Sequence, residues 1–398
     1  WGRAGACVMR LTHYLQGWDF ATYSMLYSDD GWLVGRTKEF EKGLIMHLFI
    51  LVLINTPLAW HKLCGGIVSE WIGYALDVGR FEIGITETRA QWAIGWCDDK
   101  ARERRVRLGE LREGLGRLQF LAGPLEHIRP FLGPLYAWSC AGARFARPKL
   151  PVMLVLILRY VASELRRGRM AECRSKAKHL GEVFRLDAKA EGENVAIGGW
   201  RCREGRPTRE AEWFAVTLNR RNAAWAFARG EAFRTIASLE LLGALVSVMV
   251  LLPESEVVSA TSGLVTLTCG TDNQGNSYLL DKLMTTKYPL GVILMELSCQ
   301  LGLRRACLHA RWIPRLQNEE ADALTNGDFQ HFDPKLRIPV SLDQLPFRVL
   351  NELFEEGETY VSELEHLKMA EKEKRLRQVT LDAARSTLTR TPRKTARR

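Results

Sequence analysis

Phe184-Arg185-Leu186-Asp187-Ala188-Lys189, with Ile197-Gly198-Gly199-Trp200 soon after it, reads as an apolar strand carrying one carboxylate and then a second strand. Working outward, strands are expected at 183–186, 194–201, 211–217, 264–269 and 305–312, and helices at 238–252, 273–284, 289–302 and 318–325. Three strands, a helix, a strand, helices, a strand and a final helix is the order of an α/β domain on a small mixed sheet. Three more acids fall at comparable places. Glu240 opens the apolar helix Ile236-Ala237-Ser238-Leu239-Glu240-Leu241-Leu242. Asp272 follows a strand in Gly270-Thr271-Asp272-Asn273, and Asp322 lies in Asn318-Glu319-Glu320-Ala321-Asp322-Ala323-Leu324-Thr325.

One acid at the end of an apolar strand is often only a helix cap. Glu240 is harder to read that way, because a carboxylate in an apolar helix loses hydration unless it gains a partner. Four carboxylates at strand ends and adjoining helix faces can converge on one sheet edge. Hard divalent cations take carboxylate oxygens, and two such ions about 3.5–4 Å apart serve phosphodiester hydrolysis. The expected ligands are Asp187, Glu240, Asp272 and Asp322, and the expected cofactor is Mg²⁺ or Mn²⁺.

Upstream, a helix is expected over 3–16. Two β-prone runs, 20–27 and 32–34, flank Ser28-Asp29-Asp30-Gly31, where Asp-Gly suits a hairpin turn. A helix is expected over 38–55, stopped before Pro57, and a second hairpin over 67–76 and 81–85, turned at Asp77-Val78-Gly79. Residues 86–180 are helical in pattern and basic, as in Lys100-Ala101-Arg102-Glu103-Arg104-Arg105. After 331 come a linker, a helical stretch at about 345–380 and a basic, disordered 386–398. No internal repeat is visible.

Tyr27-Ser28-Asp29-Asp30, then Trp60-His61-Lys62-Leu63 and Glu70-Trp71-Ile72-Gly73-Tyr74, resembles the YxDD, Lys-bearing strand and primer-gripping hairpin of a reverse transcriptase palm. Gly116-Arg117-Leu118-Gln119-Phe120 and Arg129-Pro130-Phe131-Leu132 resemble the thumb and connection of DIRS-like and gypsy-like retroelements. The segments LDAK, LELLGA, TDNQ and NEEADALT, within 183–325, resemble their RNase H domain, the Asn after the third acid being closest to DIRS-like elements.

That resemblance implies a partial palm over 1–90, a helical thumb and connection over 91–180, an RNase H-like mixed five-stranded domain over 181–330, and a linker, helix and basic tail over 331–398. It implies Asp29, with Asp30 beside it, as palm metal ligands, and nucleic-acid contacts from Tyr27, Lys62, Trp71, Gly73, Tyr74, Asn273 and Asn318. The implied partners are an RNA–DNA hybrid and an RNA template with DNA primer. A dNTP enters only if the missing palm is supplied, because the fingers and the earlier palm aspartate are absent. The chain departs from the pattern at Thr325, where Ser is usual, and at Trp312-Ile313-Pro314-Arg315, where His-x-Pro-Gly is common. His309 is expected to be structural, and 253–263 stands as an insertion.

The formal charge of +10 favours a polyanionic partner. Part of it sits in the tail, as Arg385, Arg390, Arg393, Lys394, Arg397 and Arg398 against Asp382. Nine cysteines, an odd number with no CxxC spacing, point away from a disulfide framework or zinc knuckle and toward an intracellular location, cytoplasmic or nuclear. The apolar runs 44–54, 150–158 and 241–252 are shorter than the roughly 20 residues of a membrane span, so buried elements and no membrane are expected. The chain opens on Trp1 and shows no signal-peptide pattern, so a piece of a longer protein is expected. Two other readings are a decayed element that binds nucleic acid without cutting it, and a partner-binding role for the 345–380 helix and tail.

Overall fold

A computed structural model describes residues 2–16, 22–174, 177–203, 205–228, 230–252, 254 and 263–388. The chain divides into two units, Trp1–Arg89 and Ala90–Arg398.

The first unit contains α1 (Gly2–Gln16), β1 (Thr22–Tyr27), β2 (Asp30–Gly35), α2 (Thr37–Leu53) and the meander β3 (Val68–Trp71), β4 (Tyr74–Asp77), β5 (Glu82–Ile85). Of the first expected strand, residues 20 and 21 lie outside the described residues. The first hairpin turns one step earlier than its Asp-Gly dipeptide suggested. Tyr27 pairs with Asp30, so Ser28-Asp29 is the turn and Gly31 is already in β2. Ser28 takes the left-handed conformation, φ 57°, because a two-residue turn matches the strand twist. The second hairpin also differs from expectation: 67–76 is not one strand but folds back at Ile72-Gly73, with φ 46° and 87°. A Cβ on Gly73 would run into the Arg89 guanidinium, so both the turn and this close approach require glycine. Lys62 lies on the short 3₁₀ turn Trp60–Lys62, not on a strand.

The second unit starts helical, with α3 (Glu87–Glu103) entering it, then α4 (Leu108–Leu121), α5 (Arg129–Ser139), α6 (Val152–Arg167) and the short strand β6 (Met170–Glu172). In α6 the buried residues Met153, Leu154, Ile157, Leu158, Val161 and Leu165 form one stripe at helical spacing. The sheet follows: β7 (Lys178–Glu191), β8 (Asn194–Arg201), β9 (Trp213–Leu218), β10 (Val265–Thr271) and β11 (Ala306–Trp312). Between and after these strands come α7 (Ala224–Phe227), α8 (Ile236–Leu251), α9 (Gln274–Lys282), α10 (Leu290–Leu303), α11 (Glu319–Asn326) and α12 (Leu350–Leu388).

The strand order is β9-β8-β7-β10-β11. The pairs β7–β8 and β8–β9 are antiparallel, and β10 is parallel to both β7 and β11. This is the mixed five-stranded sheet expected for this part of the chain. Consecutive strand residues face opposite ways, and two glycines show what covers each face. A Cβ on Gly198 would lie 2.8 Å from Leu324 of α11, and one on Gly199 would lie 2.7 Å from Ser247 of α8. The two helices therefore pack on opposite faces, each close enough to exclude a side chain from the β8 backbone.

Ala232–Leu251 is long and apolar enough to cross a membrane by composition, but 78% of its most apolar window is buried inside the fold. The insertion expected at 253–263 falls largely outside the described residues. The final helix is longer than expected, running to Leu388, so 386–388 are helical rather than disordered. Residues 389–398 lie outside the described residues. Its N-terminus is anchored by Glu296 of α10, fully buried, whose carboxylate accepts from the amides of Arg348, Val349 and Leu350 and from Gln300. An anion there meets the unpaired amides and positive dipole of a helix start.

Candidate metal centre

Asp187 is not at the end of its strand: β7 continues to Glu191, and Asp187 pairs with Gly198 of β8. Against β10, however, the ladder stops at Gly270↔Arg185. Asp187 thus lies just beyond the carboxyl end of the parallel part, beside the point where Asp272 leaves β10. Glu240, in the second turn of α8, completes the group. One carboxylate oxygen from each of Asp187, Glu240 and Asp272 lies within 4.8 Å of the others.

Asp187 and Glu240 are each 6% exposed. Thr325 Oγ1 donates to Asp187 Oδ2 at 2.8 Å, and Thr271 Oγ1 donates to Glu240 Oε2 at 2.9 Å. Burial, opposed by Thr325 and reinforced by Asp272 and Asp322, pushes the Asp187 carboxyl up to about 6. Burial and the negative charge of Asp272 push Glu240 further, to about 8. Asp272 is also raised, by burial against the pull of Arg315. For Glu240 that rise from 4.5 is worth about 5 kcal/mol against the charged form. That rise is what remains after the hydrogen bonds from Thr271 and Asn273, which favour the charged form, have acted against burial. Among the described residues no Lys or Arg pairs with these three acids, and Arg315, which pairs with Asp322, acts on Asp187 and Asp272 only from a distance.

A divalent cation fits that deficit. The ligand set is all carboxylate oxygen, as hard cations require. Asp272 Oδ1 is buried with no hydrogen-bond partner among the described residues. Asp322 does not join the three. It accepts from Arg315 Nη2 at 2.9 Å and from Asn326 Nδ2 at 2.8 Å.

Asn273 caps α9, its Oδ1 accepting from the Asn276 amide at 3.1 Å. Asn318 is 1% exposed and donates to the Leu186 carbonyl at 2.9 Å, holding the turn before α11 against β7. His309 Nδ1 stands 3.4 Å from Asp281 Oδ1 at the surface. In the first unit, Asp29 and Asp30 are exposed at the hairpin tip and Tyr27 is 62% exposed. Trp71 stacks on Trp32, with ring centroids 5.8 Å apart, and Lys62 is exposed. Among the described residues Asp29 and Asp30 belong to no metal-binding group.

Three neighbours of the acids were not singled out from sequence as partners: Thr271, Arg315 and Trp312, whose Nε1 donates to the Asp272 carbonyl at 3.0 Å. Thr271 left a trace as a hydroxyl residue directly before the strand-end acid, while Trp312 and Arg315 stood out only as departures from the family pattern.

No family model matches the chain, and no curated protein matches it. Among solved structures, RNase H1 from the halophilic archaeon Halobacterium salinarum NRC-1 is similar over 38% of this chain and 97% of its own, at 14% identity and a TM-score of 0.26. The foamy viral protease-reverse transcriptase is similar in a complex with double-stranded DNA over 72% of this chain and 46% of its own, at 14% identity and a TM-score of 0.32. In a complex with an RNA/DNA hybrid it is similar over 77% and 37%, at 13% identity and a TM-score of 0.33. This chain thus spans less than half the length of those two viral chains. The strand order and the carboxylate geometry stand independently of these likenesses.

Proposed function

We propose that the second unit is a metal-dependent nuclease that hydrolyses the RNA strand of RNA–DNA hybrids, within the C-terminal part of a retroelement reverse transcriptase. The observation that carries this reading is the convergence of Asp187, Glu240 and Asp272 within 4.8 Å at the carboxyl end of the parallel strands. Asp187, Glu240 and Asp272 would hold Mg²⁺ or Mn²⁺. When bound, such ions supply a Lewis acid for the phosphoryl group and a more acidic water. Thr325 and Thr271 fix the carboxylate oxygens, and Asn273 and Asn318 brace the elements that carry them. Hydrolysis adds water across the phosphodiester, breaking the P–O3′ bond and leaving a 3′-hydroxyl and a 5′-phosphate. Hybrid shape and 2′-hydroxyls, not base edges, are the features to be recognised. In the first unit Asp29 and Asp30 would serve a polymerase only with the earlier palm aspartate and fingers supplied, so no dNTP incorporation is expected from 1–398 alone.

The test is cleavage of a labelled RNA–DNA hybrid by the full chain with Mg²⁺ or with EDTA, beside Asp272→Asn. Cutting that needs the metal and disappears in the variant is the expected result. Cutting that survives EDTA or the substitution sinks the reading. One observation favours a second reading, a module that binds hybrids without cutting: Asp322 is held by Arg315 apart from the three clustered acids. A folded chain that binds the hybrid but leaves it intact with Mg²⁺ would select that alternative.

A further inference from the structure

Away from the carboxylates, two stretches of the second unit run side by side in opposite directions: 104–109, joining α3 to α4, and 144–150. Arg105 and Lys149 form an antiparallel bridge. The Leu150 amide donates to the Arg104 carbonyl at 2.8 Å, Leu108 to Ala146 at 2.9 Å and Gly109 to Arg144 at 2.7 Å. Arg112 clamps the preceding loop, donating to the carbonyls of Ser139 at 2.7 Å and Gly142 at 2.9 Å. The pairing gathers cations from two sequence-distant segments onto one exposed face. Arg144 and Arg147 have carboxylate neighbours in Glu113 and Glu103, at 3.5 and 3.8 Å. Arg104, Arg105, Arg107 and Lys149 have none within 4.0 Å among the described residues, so the face keeps a positive excess.

A solvated basic face alone would be unremarked, but this one also presents Phe145. That ring is 86% exposed, while the backbone on both sides of it is tied to the first turn of α4. A rigidly held, bare aromatic among cations suits a ligand with alternating anions and flat apolar rings. We propose that Arg104, Arg105, Arg107, Phe145, Arg147 and Lys149 form a binding face for single-stranded polynucleotide. The guanidinium and ammonium groups contact successive phosphates, and one unpaired base stacks on Phe145. A duplex keeps its bases stacked on each other and would leave the ring unused. The face shares no residue with the carboxylate cluster, so it acts without metal and does not depend on hydrolysis.

The experiment is fluorescence anisotropy of a labelled oligo-dT of about 12 nucleotides, within the usual site size of single-strand binders, titrated with the full chain in EDTA at several salt concentrations. Phe145→Ala is expected to weaken binding roughly tenfold, and Phe145→Trp to retain it, as base stacking requires. The double variant Arg105→Ala/Lys149→Ala is expected to lower the slope of log affinity against log salt by about 1.4, near 0.7 per lost phosphate contact. Asp272→Asn is expected to bind like the parent, which separates this face from the proposed nuclease site. The proposal is overturned if the parent does not bind, if Phe145→Ala binds as tightly as the parent, or if the salt slope is unmoved in the double variant. Tighter binding of a matched duplex, unaffected at Phe145, would also overturn it.

Discussion

Replacing Glu240 with Gln should make the metal-free protein more stable at neutral pH while abolishing the proposed metal-dependent cleavage. The carboxyl titrates near 8 in the fold, against 4.5 when unperturbed, because burial and Asp272 both oppose its charge. Between those values the folded chain holds more protons than the unfolded chain, so stability falls as pH rises, by about 1.4 kcal/mol per unit. From pH 4.5 to pH 7 this amounts to about 3 kcal/mol. Gln keeps the shape and can still accept the 2.9 Å hydrogen bond from Thr271, but it carries no charge to desolvate. The assay is urea unfolding of both proteins in EDTA at pH 4.5 and pH 7, followed by circular dichroism. The stability difference should grow by about 3 kcal/mol in favour of Glu240→Gln between the two pH values. An offset that stays the same would refute the claim that Glu240 is a buried, uncompensated acid.

Three further outcomes are expected. Mg²⁺ should raise the melting temperature of the parent more at pH 8 than at pH 5, since protonated carboxyls bind cations poorly, and should do little for Asp272→Asn; calorimetry checks this. Thr325→Val leaves Asp187 Oδ2 without its 2.8 Å donor and should cost about 1–3 kcal/mol, with Thr325→Ser recovering most of it, as read from thermal unfolding. Glu296→Gln weakens the anion under the Arg348, Val349 and Leu350 amides and should cost about 2–4 kcal/mol, with faster hydrogen exchange at the start of α12.

Asp187, Glu240, Asp272 and Asp322 could be picked out before any coordinates, because acids stand out against apolar runs whose period already marks strands and helices. The strand-and-helix order of 183–325 was legible for the same reason: each element there is mostly buried, so burial imprints its period on the residues. The exposed first unit was less legible. Ser28-Asp29 rather than Asp30-Gly31 makes its first turn, and Ile72-Gly73 splits what read as one strand, because a turn's place depends on which residues pair across it.

The sequence by itself determined the α/β order, the basic charge and the supply of carboxylates, since these follow from local pattern and composition. Only the tertiary structure decided that Asp187 lies where β10 runs out, that three acids come within 4.8 Å, and that Asp322 is drawn to Arg315. It alone also placed 104–109 against 144–150. Distances of a few ångströms among Asp187, Glu240 and Asp272, each more than thirty residues from the next, are fixed by strand register and helix packing, and a one-residue slip of β7 would turn Asp187 to the opposite face.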